Sequence, residues 1–115
     1  MAKTKEYTIQ AQIWINEGSN SFLGPGRIML LENIIKTGSI TNAAKEMKMS
    51  YRQAWQLVED MNKHAKEPLV EKILGGKGGS GSKVSKAGEK AIILFKELEN
   101  KIKLYSEEEL KKIQM

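Results

Sequence analysis

The order of apolar and polar residues along the chain predicts an N-terminal strand followed by a helix. From Thr8 to Asn16 apolar and polar side chains alternate, as they do in a half-buried strand. The stretch 16–21 has the composition of a turn. Pro25 then suits the first turn of a helix with apolar side chains at helical spacing, and Gly38 is placed to end that helix.

Two further helices are predicted on either side of a tight turn. The first follows Ser39 or Thr41, either of which can act as its N-cap, and its apolar face contains small residues. The second follows Ser50, which forms a capping-box pattern with Gln53, and its pattern ends just before a proline. Together these two helices predict a helix-turn-helix over residues 39–66.

The rest of the chain predicts a strand–loop–strand unit, here called the wing, over 69–85, and a long helix over 86–105. The sequence Ser106-Glu-Glu-Glu109 is another capping-box pattern, so we expect a separate short helix over 106–114. The predicted fold class is mainly α with a small β-sheet (α+β). More specifically, the pattern indicates a winged helix-turn-helix with an N-terminal strand and a long C-terminal dimerisation helix.

Composition narrows the functions that this fold can serve. The chain has 115 residues, which predicts a single domain over 1–115. It has no Cys and one His, so we expect no disulfide, no metal site, no cofactor and no catalytic residues. Because no apolar run approaches the roughly 20 residues of a membrane span, we expect no membrane partner and a cytoplasmic, nucleoid-associated protein.

Positive charge is concentrated in the predicted wing. The net charge of the chain is +5, and residues 72–90 carry five lysines against Glu89 alone. Five of the ten glycines lie within residues 75–81 of this stretch. A flexible, solvated loop would explain this composition, but a glycine-rich loop that carries lysines can also approach an anionic partner closely.

Because the charged loop follows a helix-turn-helix, we interpret both as parts of a DNA-binding surface. In this geometry the second helix lies in the major groove, where Arg can bond guanine and Gln can bond adenine. The wing lysines would neutralise backbone phosphates. The candidate DNA-binding residues are Thr41, Asn42, Ser50, Tyr51, Arg52, Gln53, Gln56, Lys77 and Lys83.

Several side chains have a structural and a functional interpretation. Trp55 is predicted to belong to the core rather than to stack on a base. For Tyr51 the sequence leaves two roles: a contact with a backbone phosphate, or packing against the preceding helix. His64 is predicted to be a surface residue. An apolar stripe on the last helix belongs either to the core or to a dimer seam. We favour the seam because the helix is longer than the core of so small a domain can cover. Its residues are Phe95, Leu98, Ile102 and Tyr105.

The glycine-rich run also resembles a nucleotide-binding loop. Gly76-Lys-Gly78-Gly-Ser-Gly81 fits the spacing G-x-G-x-x-G. A dinucleotide site needs in addition a second parallel strand with an acidic residue about 20 residues further on. Here a helix occupies that part of the chain, and we reject nucleotide binding and an enzymatic function.

Two stretches resemble the N-terminal DNA-binding domain of ModE-type, molybdate-dependent transcriptional regulators, which is akin to LysR-type winged helices. They are 38–62, with its Ser50-Tyr-Arg-Gln-Ala-Trp55 sequence, and Gly75-Gly-Lys-Gly-Gly79. The resemblance implies a homodimer that binds near-palindromic operator DNA. The chain ends where full-length members continue into a molybdate-binding domain, so we expect no molybdate site in this chain.

Two hypotheses of different classes follow from the sequence. The first is a homodimeric regulator that binds double-stranded DNA in a sequence-specific manner. The alternative is a protein-interaction adaptor that retains the winged-helix fold without binding DNA. The net charge of −1 over residues 50–71 keeps the adaptor open.

Overall fold

The computed structural model describes residues 5–74 and 81–113 and confirms the predicted fold class. Short antiparallel strands and four helices form a winged helix. In chain order the elements are β1 (Ile15–Glu17), β2 (Asn20–Leu23), α1 (Pro25–Thr37), α2 (Ile40–Glu46), α3 (Tyr51–His64), β3 (Val70–Ile73), β4 (Gly81–Val84) and α4 (Lys86–Leu110).

The N-terminal strand is shorter than the alternation predicts. Only Ile15–Glu17 is paired, and its partner β2 begins at Asn20, within the stretch 16–21 that the composition assigned to a turn. Gly18 has a φ of +62°, which suits the first position of a two-residue hairpin turn. Because β2 ends where the chain enters α1, residues 8–14 pair with no strand within the described ranges and adopt no regular secondary structure.

The helix boundaries of the helix-turn-helix follow the predicted caps closely. Gly38 ends α1 in the left-handed conformation with a φ of +79°, and its N–H donates to the Ile34 carbonyl. Ser39, rather than Thr41, is the N-cap of α2. The small residues Ala43 and Ala44 are buried, which allows α3 to pack closely against α2.

The last helix continues past the predicted start of a new one. α4 runs without interruption from Lys86 to Leu110, so the separate helix expected over 106–114 is not formed. No Gly or Pro lies between residues 89 and 110 to end the helix. A capping-box pattern inside an otherwise helical sequence is therefore compatible with continuous helix.

A single hydrophobic core lies between the helix-turn-helix, the wing strands and the first turns of α4. Its largest fully buried side chains are Phe95, Ile28, Leu30, Leu31, Ile34 and Met61. α1 contributes most of them, and it contacts α2, α3, α4 and β4. The core thereby fixes the position of α3 relative to the wing.

Candidate nucleic-acid interface

The turn between α2 and α3 is held by backbone hydrogen bonds around a left-handed residue. Lys48 has a φ of +55°, and the Met49 N–H reaches back to the Ala44 carbonyl at 3.0 Å. Met47 and Met49 pack against the core on either side of Lys48. This is the hydrogen-bond pattern with which helices often end, although glycine is the usual residue at the left-handed position.

The first turn of α3 presents its polar side chains to solvent. The Ser50 hydroxyl accepts a hydrogen bond from the Gln53 N–H at 3.0 Å, which confirms Ser50 as the N-cap. Tyr51, Arg52 and Gln53 are all exposed. A helix N-terminus with an uncovered first turn is the geometry in which side chains reach base edges.

The start of α2 lies on the same helix-turn-helix and is also uncovered. Thr41 and Asn42 are exposed, and the Asn42 N–H donates to the Ser39 hydroxyl at 3.0 Å. The side chain of Asn42 remains available on the surface, as does that of Thr41. Both predicted residues are thus placed where a ligand could contact them.

Trp55 is on the outer part of α3, contrary to the prediction that it belongs to the core. Its side chain is 37% exposed, whereas the neighbouring Ala54 and Val58 are buried. The core-facing stripe of α3 is narrow enough to exclude the position next to Ala54. Trp55 lies one helical turn after Tyr51, which is 53% exposed, so both aromatic side chains are exposed on the same side of α3.

Arg52 and Gln56, also one turn apart, differ in how their side chains are engaged. The Gln56 amide donates to the Asp60 carboxylate at 3.1 Å. Within the part of the chain that the structure describes, Arg52 makes no hydrogen bond or ion pair. Its guanidinium is therefore the cationic group at the start of α3 that is free to bind an external acceptor.

Asn62 fastens the end of α3 to the first wing strand. Its side-chain oxygen accepts from the Leu69 N–H at 2.8 Å and the Val70 N–H at 3.2 Å. Its amide nitrogen donates to the Val70 carbonyl at 3.1 Å. These bonds satisfy backbone groups at the entry to β3, and no local pattern in the sequence predicts them.

The second wing strand is attached at both of its ends. The Ser82 N–H donates to the Gly38 carbonyl at 3.0 Å, which links β4 to the junction of α1 and α2. At the other end the Ser85 N–H donates to the Leu69 carbonyl at 2.9 Å, and its hydroxyl donates to the Pro68 carbonyl at 2.6 Å. The root of the wing is thus fixed relative to the helix-turn-helix.

The two lysines predicted for the wing have different outcomes. Lys83 is exposed on β4 and lies opposite Glu71 of β3 in the antiparallel register. Lys77 lies outside the described residues. Two exposed lysines were not predicted as DNA contacts: Lys45 in the last turn of α2 and Lys48 in the turn that leads into α3. A tight turn with two lysines ahead of an Arg-bearing helix start was the available signal.

The predicted seam on α4 divides into buried and exposed residues. Phe95 is 1% exposed and belongs to the core of its own chain, which corrects its assignment to the seam. Leu98 is 39% exposed and Tyr105 is 68% exposed. Ile102 is half-buried. Phe95 lies within the first three turns of α4, where the helix still covers the domain, and the later residues lie beyond that cover.

His64 is less exposed than the surface position predicted for it. Its Nδ1 lies 2.8 Å from a carboxylate oxygen of Glu17, and 12% of its side chain is exposed. The contact joins the end of α3 to the N-terminal hairpin. Among residues 5–74 and 81–113 there is no cluster of His, Asp and Glu that could hold a metal ion.

Comparison with known proteins agrees with this geometry. The sequence is 46% identical over 74 residues to the transcriptional regulator ModE of Yersinia pestis. The aligned region is 64% of this chain and 28% of that protein. The sequence is thus similar to the N-terminal part of ModE regulators. The molybdenum transport protein ModE of Azotobacter vinelandii is 36% identical over 89 residues, which is 77% of this chain and 33% of that protein.

A third relative is also a ModE regulator. The DNA-binding transcriptional dual regulator ModE of Escherichia coli K12 is 40% identical over 74 residues, 64% of this chain and 28% of that protein. The chain thus spans about a third or less of the ModE proteins it matches. No protein-family profile matches the sequence.

A LysR family transcriptional regulator of known structure shares the fold. It superimposes with a TM-score of 0.53 at 14% identity, over 72% of this chain and 27% of the other. This likeness supports the winged-helix architecture. In the described part of the chain, no helix has the length and apolar composition needed to cross a membrane.

Proposed function

We propose that this chain is a transcriptional regulator that binds double-stranded DNA sequence-specifically as a homodimer. The observation that supports it most strongly is the exposed first turn of α3, where Arg52 is unengaged and the wing root is fixed nearby. The names of the ModE relatives agree with this activity. The proposal includes no catalytic function, and it carries the expectation of a cytoplasmic, nucleoid-associated protein.

Base recognition is assigned to α3 lying in the major groove. Arg52 is free to donate two hydrogen bonds to guanine, and Gln53 can pair with adenine in the same manner. Gln56 must exchange its bond with Asp60 for a base contact, so it contributes less. Tyr51 and Trp55 present apolar surface that suits the methyl group of thymine.

Backbone contacts are assigned to the wing and to the turn before α3. Lys77 and Lys83 would neutralise phosphates on one side of the helix-turn-helix, and Lys45 and Lys48 on the other. Thr41, Asn42 and Ser50 offer hydroxyl and amide groups between them. Phosphate contacts fix the register of the protein on the duplex, so that the few side chains of α3 reach the intended bases.

Dimerisation is assigned to the exposed residues of α4. Leu98 and Tyr105 with the half-buried Ile102 are spaced 4 and 3 residues apart, which places them on one side of the helix. Two copies related by a twofold axis would present two α3 helices to half-sites about 34 Å apart, which requires a near-palindromic operator.

A salt titration tests whether the chain binds DNA. Binding of duplex fragments, followed by fluorescence anisotropy, is expected to fall steeply between about 50 and 200 mM salt, because each neutralised phosphate releases counterions. A flat dependence, or no binding at low salt, would instead favour the protein-interaction adaptor.

A further inference from the structure

Strand β1 has an N-terminal extension with no pairing partner, here called the overhang and defined as Thr8–Trp14. β1 pairs with β2 from Glu17 back to Ile15, and the ladder becomes irregular at that point. No backbone hydrogen bond involves residues 8–14 anywhere in the described ranges. The overhang therefore leaves a row of backbone donors and acceptors open to another strand.

The overhang nevertheless has the composition of a strand. Its seven residues alternate between the apolar Ile9, Ala11 and Ile13 and the set Thr8, Gln10, Gln12 and Trp14. It contains no charge, no Gly and no Pro. Short segments of this kind, with high strand propensity and no charge, are those that pair with copies of themselves.

Contacts within the chain leave most of the overhang accessible, because Ile13 is half-buried against the hydrophobic core whereas its other residues are exposed. A cavity of about 900 Å³ lies between the stretch 7–14 and the end of α4 at Glu99–Leu110. Along the overhang Ile9 is 45% and Trp14 is 58% exposed. The base of the overhang is positioned by Trp14, whose ring lies so close to Gly24 that a β-carbon there would be 2.4 Å from it.

We propose that the overhang forms an antiparallel strand pair with the same segment of a second copy of this chain, in a register centred on Ala11. In that register Ile9 lies opposite the partner's Ile13, and Gln10 opposite the partner's Gln12. The apolar side chains at odd positions share one face of the two-stranded ribbon, and the polar side chains and Trp14 share the other, because the twofold axis pairs residues of equal parity.

We infer that a second copy of the chain binds the overhang, because the alternating sequence of the overhang is complementary to itself in the antiparallel register. The absence of charge means that two copies meet without repulsion, and it offers nothing to select a charged partner strand. The contact uses other residues than the α4 seam of the proposed function, although Ile102 of that seam lines the cavity beside the overhang. It would add a second surface to the same dimer, and its formation does not require DNA.

Disulfide cross-linking tests this register, since the chain contains no Cys of its own. In Ala11→Cys the two α-carbons would lie about 4.5–5.5 Å apart, within the range of a disulfide. In the control Thr8→Cys the two sites would be separated by six residues along the ribbon, about 20 Å. Both positions are exposed, so neither substitution disturbs the core.

The expected result is that Ala11→Cys forms a covalent dimer at least about tenfold faster than Thr8→Cys under mild oxidation at micromolar protein, because pairing raises the effective thiol concentration. Adding Gln10→Pro to Ala11→Cys should slow it to the rate of the control, since proline cannot join the ladder. Equal rates for the two single variants, or no effect of the proline, would overturn the proposal. DNA binding by the same variants is scored separately, so a failure of the overhang contact is distinguishable from a failure of the proposed function.

Discussion

At the scale of single residues, Arg52 and Lys77 are assigned different kinds of contact with DNA. Arg52→Ala is expected to cost about 1–3 kcal/mol at one base position and to relax the sequence preference there. Lys77→Ala is expected to weaken binding to all sequences alike and to reduce the salt slope by about one. Anisotropy titrations with matched and single-mismatch duplexes measure both effects. If the two variants behaved identically, the division between base and backbone contacts would be wrong.

Lys48 is a non-glycine residue in the left-handed region, and its conformation has a cost. Lys48→Gly is expected to raise the free energy of unfolding by about 0.5–1 kcal/mol, because glycine relieves the backbone strain while losing more entropy on folding. The control Lys45→Gly removes the same charge inside α2 and should lower stability by about 0.5–1 kcal/mol. Urea denaturation measures both. A loss of stability in Lys48→Gly would contradict this account of the turn.

At the scale of elements, the wing depends on one side chain for its attachment to α3. Asn62→Ala leaves the Leu69 and Val70 N–H groups without their acceptor and is expected to lower the free energy of unfolding by about 1–3 kcal/mol. The control is Asn100→Ala, an exposed asparagine on α4, which should change stability by less than about 0.5 kcal/mol. Equal effects would show that the Asn62 bonds do not stabilise the junction.

The first turn of α4 packs against the wing through a glycine. A β-carbon at Gly88 would lie 2.3 Å from the Leu69 carbonyl oxygen and 2.5 Å from the Val84 Cγ1. Gly88→Ala is therefore expected to destabilise the fold by about 1–3 kcal/mol. At Gly26 of α1 the same change meets open space and should be neutral or stabilising by up to about 1 kcal/mol. Thermal unfolding of the two variants distinguishes backbone crowding from a general effect of alanine.

Local signals in the sequence were sufficient for the elements that are capped locally. The N-cap residues Ser39 and Ser50 and the left-handed Gly38 lie where propensity places them, because each acts through bonds to its own neighbours in the chain. The N-terminal hairpin was missed, although Gly18-Ser19 between polar and apolar residues is a two-residue turn signal. The alternation before it was misleading, because a strand also needs a partner.

The features that sequence reasoning missed depend on contacts between distant parts of the chain. A turn separates Asn62 from β3, and no residue type in that turn predicts the hydrogen bonds between the Asn62 side chain and the strand. The exposure of Trp55 depends on how much of α3 the core covers, and the buried residues of that helix are Ala54, Val58 and Met61. Phe95 looked like part of a seam because its spacing matches the exposed residues of α4, yet the domain ends just after it.

At the scale of the whole molecule, the fold brings three separate structures into one arrangement. The core fixes α3, hydrogen bonds from Asn62 and Ser82 fix the wing root, and α4 extends beyond the domain. A protein-interaction adaptor with the same fold would not need α3, the wing root and α4 to be arranged for contact with a DNA duplex. The proposed dimer places two copies of the arrangement on one face of DNA.

The most direct test of the central claim, that α3 enters the major groove of a dimer's two half-sites, is methylation interference on a duplex selected from random-sequence DNA. Methyl groups on guanine N7 lie in the major groove, and those on adenine N3 lie in the minor groove. The account predicts that guanine N7 methylation blocks binding in two patches about 10 base pairs apart or a multiple of that spacing. Interference confined to adenine N3, or a single unrepeated patch, would contradict it.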